Sequence, residues 1–332
     1  MSISVLKKQI EEGRLKNLYL FYGPEDYLKK YYLNCIEKKL VSRELSAVNK
    51  IVHEGKVSAK ALYDSCETFP LFSEKKLVIV KHSGLFNSKK GADSEEILGL
   101  LQNVTSHTCL VFYEDEIDKR MKTVKAVKEK GMLVEFDFRK PAELVKWVIK
   151  VFKSHNIDID TAAASWLVEN SEQGMGYIMN EINKIVMYLS GRKKVEQSDI
   201  EKVCSRSVKT RVFDLTDAIA GKDCERALKL LNDMIESREP VNVILYMIAR
   251  QFRHILQMKL MSAEGASVDE AALKIGITPY AARKVLKQSQ GFTVDDLKKA
   301  LERCLDMDVG IKSGKIDERT AAELLIVEVA GA

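Results

Sequence analysis

With 332 residues the chain is too long for one hydrophobic core, so two or three domains are expected. Its 46% hydrophobic and 30% charged residues are ordinary for a globular protein, and a net charge of +5 permits contact with nucleic acid without demanding it. The cysteines Cys35, Cys66, Cys109, Cys204, Cys224 and Cys304 are scattered, with no C-x-x-C pair and no histidine at ligand spacing, which argues against a zinc site and against a disulfide framework. No apolar run approaches about 20 residues and the N-terminus lacks a signal-peptide core, so a reducing cytoplasm and no membrane partner are expected.

Taken in order, residues 4–12 read as a short helix ending at Gly13, and Leu18 to Tyr22 as an apolar strand. Leu28, Tyr32, Ile36 and Leu40 then share one face of a helix. Val48 to His53 is a second strand, and Ser58 suits the cap of a helix carrying Leu62 and Cys66. Leu77 to Val80 is a third strand, and Asp93 or Ser94 caps a helix bearing Ile97, Leu100, Leu101 and Val104. Cys109 to Tyr113 is a fourth strand, a basic helix runs from about Lys119 to Gly131, and Leu133 to Phe136 is the fifth strand. Strands alternating with helices, several of them unbroken apolar runs, predict an α/β domain whose parallel sheet is covered on both faces.

The turn after the first strand is where such a domain binds phosphate. A P-loop reads G-x-x-x-x-G-K-[ST], with glycines for close backbone approach, lysine for the phosphates and a hydroxyl for magnesium. Here Gly23 and Lys29 hold the first glycine and the lysine, but Leu28 replaces the second glycine and Lys30 the hydroxyl. Pro24 removes a backbone donor, Glu25 and Asp26 bring negative charge, and the third strand ends in Lys81-His82 rather than an aspartate. No nucleotide, metal or other cofactor is expected. Glu114-Asp115-Glu116 reads as an acidic loop without a metal partner, and no catalytic constellation is evident.

The connector Phe69-Pro70-Leu71-Phe72 sets three large apolar residues around a proline just before a strand. Connectors normally cross the surface and are polar. Leu71 and Phe72 are therefore either tucked under the sheet edge or held out for a partner.

Beyond Arg139-Lys140-Pro141 the pattern is helical throughout. Leu144, Val145, Val148 and Phe152 form one face, Asp160 starts a helix, Ile178, Ile182, Ile185 and Leu189 form a stripe, and Ser198 caps a helix to Val203. Trp147 and Trp166 fall in this block as core residues rather than stacking platforms. A second helical block starts near Arg211. Within it, residues 272–287 have the outline of a helix-turn-helix, whose second helix carries Arg283, Lys284 and Lys287. An ordinary αα-hairpin with a solvated basic face has the same outline.

Several stretches, in order, carry a likeness to one family. They are Leu18-Tyr19-Leu20-Phe21-Tyr22-Gly23 with Glu25 and Leu28, Phe69-Pro70-Leu71-Phe72 leading into Lys76-Leu77-Val78-Ile79-Val80, and Asp118-Lys119-Arg120. Further along are Glu181-Ile182-Asn183-Lys184, Val212-Phe213-Asp214-Leu215-Thr216-Asp217-Ala218, and Asp308 with Lys312 and Gly314. Over nearly its whole length the chain resembles the delta subunit of the bacterial DNA polymerase III clamp loader. The resemblance implies a degenerate AAA+ ATPase-like domain over residues 1–140, a helical lid over 141–208 and a helical collar over 209–332. It also implies a non-catalytic component of the DNA polymerase III holoenzyme that opens the sliding clamp (beta) for loading onto primed DNA. Its collar would join the other loader subunits, gamma/tau and delta-prime. The family's adjacent leucine and phenylalanine contact on the clamp falls on Leu71 and Phe72, beside Pro70. Lys119, Arg120, Lys122, Arg283, Lys284 and Lys287 are expected to face DNA within the assembled ring. The competing reading is a stand-alone helix-turn-helix regulator; Leu28 and Lys30 argue against an active ATPase.

Overall fold

The computed structural model describes residues 3–42, 44–87, 95–204, 208–277 and 279–331. The chain divides into two compact units, Met1–Val168 with Gln173–Asp199, and Glu169–Glu172 with Ile200–Ala332.

The first unit begins with α1 (Ile3–Glu12), β1 (Leu18–Tyr22), α2 (Asp26–Leu40), α3 (Ser46–Asn49) and β2 (Lys50–Glu54). It continues with α4 (Ala59–Glu67), β3 (Lys76–Lys81), α5 (Glu95–Gln102), β4 (Thr108–Tyr113), α6 (Lys122–Lys130) and β5 (Met132–Glu135). The five strands form one parallel sheet in the order β2-β3-β4-β1-β5. Successive side chains point to opposite faces of a strand, so the unbroken apolar runs supply two cores at once. Leu18, Leu20, Val78, Val80, Leu110 and Phe112 face α4, α5 and α6. Tyr19, Phe21, Leu77, Ile79, Val111 and Val134 face α1 and α2. The expected α/β fold with both sheet faces covered is what forms.

Several local expectations are corrected. Val48 lies in the short α3, and the second strand starts only at Lys50. The basic helix starts at Lys122. The Asp118 side chain accepts the Arg120 N–H at 3.0 Å and the Met121 N–H meets the Asp118 carbonyl at 3.1 Å, which makes a turn of Lys119 and Arg120. The cap expected at Asp93 or Ser94 lies outside the described residues.

The helices after Pro141 are α7 (Pro141–Ser154), α8 (Thr161–Asn170), α9 (Met175–Leu189) and α10 (Gln197–Val203). They are not purely helical, because β6 (Asp158–Ile159) and β7 (Lys194–Val195) pair in parallel. Pro141 occupies the first turn of α7, and the Asp160 carboxylate accepts the Ala163 N–H at 2.7 Å at the start of α8. Ser198 lies inside α10 instead of capping it. The stripe Ile178, Ile182, Ile185 and Leu189 is buried as its spacing requires. Trp147 and Trp166 are only half-buried, Trp147 meeting the Tyr27 ring edge-on at 5.7 Å between centroids.

The second unit holds α11 (Val208–Ala220), α12 (Cys224–Glu236), α13 (Val241–Ala263), α14 (Val268–Ile275), α15 (Pro279–Ser289), α16 (Val294–Lys312) and α17 (Glu318–Ala330). α13 is its axis, with Ile244, Ile248, Phe252, Ile255 and Met258 fully buried. Capping boxes at Ser267/Glu270 and Thr293/Asp296 start α14 and α16. Leu305, Val309, Leu324 and Val327 on α16 and α17 remain exposed, so the apolar pattern of these helices does not end in this unit's own core.

Candidate functional site

The loop after β1 keeps the outline of a phosphate-binding turn but is filled by its own side chains. Gly23 has φ +116°, and a Cβ there would lie 2.4 Å from the Phe136 carbonyl oxygen, so this glycine is required by the neighbouring backbone. The Glu25 N–H donates to that same oxygen at 2.9 Å. The Glu25 carboxylate does not project into the turn; it is buried and accepts the Met175 N–H at 3.0 Å, and burial pushes its pKa up. Leu28 is half-buried against the α1–α2 side of the sheet. Lys29 is fully buried, with Nζ 3.1 Å from the Glu114 carbonyl oxygen, 3.0 Å from Asp115 Oδ1 and 4.5 Å above the Tyr113 ring. The Tyr113 hydroxyl donates to Asp26. Lys30 turns outward and pairs with Asp26 Oδ2 at 2.6 Å. Burial works to raise the Asp26 carboxyl, and Lys30, Tyr113 and Lys29 together outweigh it and hold the pKa down.

The ends of β3 and β4 complete this plug. Glu114 is buried and Oε1 accepts the Ser83 N–H at 2.9 Å and the Ser83 hydroxyl at 2.5 Å, while burial raises its pKa. His82, at φ 51°, lies 3.1 Å from Asp115 Oδ2 through Nδ1. Asn87 donates to Glu116 at 2.8 Å. Glu114-Asp115-Glu116 is therefore an acidic loop with a structural part: Glu114 is buried, and the exposed Asp115 and Glu116 bond to neighbouring side chains. Among the described residues no group of His, Cys, Asp and Glu has the arrangement of a metal site, and the cysteines are free thiols. Burial pushes the Cys66 thiol up to about 11 and the Cys109 thiol up to about 12, which makes both poor nucleophiles.

The loop before β3 has the opposite character. Phe72 is 93% exposed and Leu71 54%, so neither side chain is tucked under the sheet. Pro70 is half-buried, and the exposed Phe69 ring stacks on His107 with centroids 4.5 Å apart. Asn49, fully buried at the end of α3, grips the Leu71 backbone twice: its Nδ2 donates to the Leu71 carbonyl at 2.7 Å and its Oδ1 accepts the Leu71 N–H at 2.8 Å. The buried Lys76 ammonium donates to the Thr68 carbonyl at the end of α4, and burial lowers its pKa. Phe72 itself has φ 52°, an unusual backbone for an aromatic residue. Asn49 and Lys76 hold this candidate loop, a role that sequence reasoning assigned to neither. The one trace of Lys76 is a charge opening an apolar strand.

The basic candidates divide between the two units. Lys119 lies 3.2 Å from Glu135 and 5.4 Å above the Tyr22 ring, and Arg120 forks onto Asp118 at 2.9 and 2.7 Å. Lys122 is exposed at the start of α6. In the other unit, Arg283, Lys284 and Lys287 are exposed on α15, with the Lys284 ammonium 5.6 Å above the Phe213 ring. Gly276, at φ +78°, makes the turn between α14 and α15.

Comparison with known proteins covers both units. Residues 19–137 match the family described as DNA polymerase III, delta subunit. Residues 209–329, which include the α14–α15 hairpin, match the family described as DNA polymerase III delta subunit, C-terminal domain. The chain is 25% identical over 331 residues to DNA polymerase III subunit delta of Bacillus subtilis, covering 97% of this chain and 95% of that one. It is 22% identical over 271 residues to a probable DNA polymerase III subunit delta of Aquifex aeolicus, covering 79% and 76%. Among solved structures it is similar to the Bacillus subtilis DNA clamp loader delta protein, with a TM-score of 0.65, 24% identity and 99% of each chain covered.

Proposed function

Since the chain belongs to the delta-subunit family of DNA polymerase III, we propose that it grips the sliding clamp (beta) through Leu71 and Phe72 and opens it for loading onto primed DNA. The observation that carries this reading is the outward Leu71–Phe72 pair on a loop whose backbone is held from below by Asn49. Fully burying a leucine and a phenylalanine contributes roughly 1.5–3 kcal/mol each, enough for a hot spot within a larger interface. Such a wedge opens a ring only if it binds the open form better than the closed one.

In this reading the residues 1–140, 141–208 and 209–332 act as ATPase-like domain, lid and collar. ATP acts only in partner subunits, because Lys29 is already bonded to Glu114 and Asp115. The collar joins gamma/tau and delta-prime subunits, and the exposed Leu305, Val309, Leu324 and Val327 support a protein partner there. Lys119, Arg120, Lys122, Arg283, Lys284 and Lys287 face primed DNA. Arg120 is the weakest of these, its guanidinium being engaged by Asp118. The protein works in the cytoplasm; no helix among the described residues is long and apolar enough to cross a membrane. Gel filtration of the chain with the sliding clamp of the same source tests the reading. Co-elution is expected, and separate elution at concentrations well above those of a specific complex would sink it.

A further inference from the structure

Phe72 has a left-handed backbone and an almost wholly exposed ring, a combination that relaxes unless neighbouring groups hold it. Asn49 and the residues flanking the loop are the groups that hold it. The Asn49 side-chain amide satisfies both the N–H and the carbonyl of Leu71, as a neighbouring strand would. Only one amide orientation does this, since the Leu71 N–H requires the oxygen and its carbonyl the nitrogen. The Asn49 N–H is itself bonded to the Leu45 carbonyl at 2.9 Å, and the next residue, Lys50, begins β2 in register with Leu77 of β3. Asn49 is therefore fixed by the same two strands that fix the far end of the loop. On the other flank, the Ser73 hydroxyl donates to the Lys75 carbonyl at 2.9 Å, and Lys75 Nζ donates to Asn17 Oδ1 at 2.7 Å.

We infer that Asn49 is a positioning residue for clamp recognition: by holding the Leu71 peptide at both of its polar groups it keeps Leu71 and Phe72 in their binding geometry before the partner arrives. The inference rests on the reading that these two side chains are the clamp contact. An ordered loop loses less entropy on binding than a free one, so Asn49 adds affinity without touching the partner.

Replacing Asn49 by Ala in the full-length chain is expected to speed hydrogen exchange at the Leu71 amide at least about tenfold and to weaken clamp binding by about ten- to a hundredfold. In a chain already carrying Leu71→Ala and Phe72→Ala, adding Asn49→Ala should change clamp binding little, because Asn49 acts through them. Asn49→Asp supplies a readout that a merely structural role would not move. Its ionised carboxylate accepts the Leu71 N–H but repels the Leu71 carbonyl. Its protonated form restores the missing donor. Clamp binding by this variant, relative to wild type, should therefore recover as pH falls from about 8 to about 5.5, since burial raises a carboxyl's pKa. Unchanged Leu71 exchange in Asn49→Ala, or full additivity with the loop mutations, overturns the inference. Failure of the wild-type chain to bind the clamp while Leu71 exchange still responds to Asn49→Ala overturns the clamp reading and leaves the loop geometry standing.

Discussion

The two ends of the parallel sheet handle side chains in opposite ways. At the C-terminal ends of β1, β3 and β4, where α/β proteins usually bind ligands, Lys29, Glu114, Asp115 and Ser83 bond to one another and fill the turn. At the entry to β3, at the opposite end of the strands, Phe69, Leu71 and Phe72 stay exposed. Charge has been drawn inward where it normally meets a ligand, and apolar surface has been kept out where it normally withdraws. Burying charge is costly unless it is bonded, and these groups meet that condition. Phe69 at least stacks on His107, whereas Phe72 is left almost wholly exposed. The polar end of this sheet thus satisfies itself, and the surface left without partners among the described residues of the unit is the apolar pair Leu71 and Phe72.

The sharpest way to break the comparison is the double variant Leu71→Ala and Phe72→Ala. Clamp binding measured by pull-down should fall by two orders of magnitude or more, on the basis of roughly 1.5–3 kcal/mol for each side chain buried in the complex. The melting temperature should barely move, since exposed substitutions usually change stability by about 0.5 kcal/mol or less. A large drop in melting temperature with clamp binding intact in the folded fraction would return both residues to the core.

The reverse pattern is expected at the other end. Lys29→Met removes the donors that satisfy the Glu114 carbonyl and Asp115, and should destabilise the fold by about 1–3 kcal/mol in denaturant titrations. The folded fraction should still bind the clamp. Titration calorimetry should detect no magnesium-ATP binding in either the wild type or this variant; tight binding by the wild type would reopen the turn as a nucleotide site.

The smallest effect is a pH dependence at Glu114. Burial raises its pKa in the folded chain, so the native state holds this proton more tightly than the unfolded state. Its contribution to stability is thus greatest at low pH and declines as pH rises through the folded pKa. Glu114→Gln keeps an oxygen for Ser83 and removes the ionisation. In parallel melts, the stability of this variant relative to wild type should improve as pH rises from the acidic range to neutrality. A difference independent of pH would mean that Glu114 does not titrate in that range.

The sheet was legible because β1, β3 and β4 are apolar runs bounded by turns, a pattern that follows directly from two-sided burial. Leu71 and Phe72 were legible as an anomaly, two large apolar residues in a connector, and the family resemblance is what pointed to their exposure. Asn49 was not legible, because its partner lies 22 residues along the chain and a lone asparagine before a strand carries no periodic signal. The burial of Glu114 was not legible within an acidic loop, since carboxylates are mostly exposed. Only the fold brings the Ser83 N–H and hydroxyl to it. The two-residue strands β6 and β7 are too short to register an alternation. The start of α6 was set too early because a run of lysines looks the same in a turn and in a helix, whereas Asp118 decides between them.

The buried Lys29 has a consequence for timing. A turn that alternates between empty and occupied gives a protein two states and an interval between them, set by how long the occupant stays. Here the position is taken by the buried Lys29 side chain, bonded to Glu114 and Asp115. In the proposed reading the unit therefore presents Leu71 and Phe72 continuously, whatever happens at this turn.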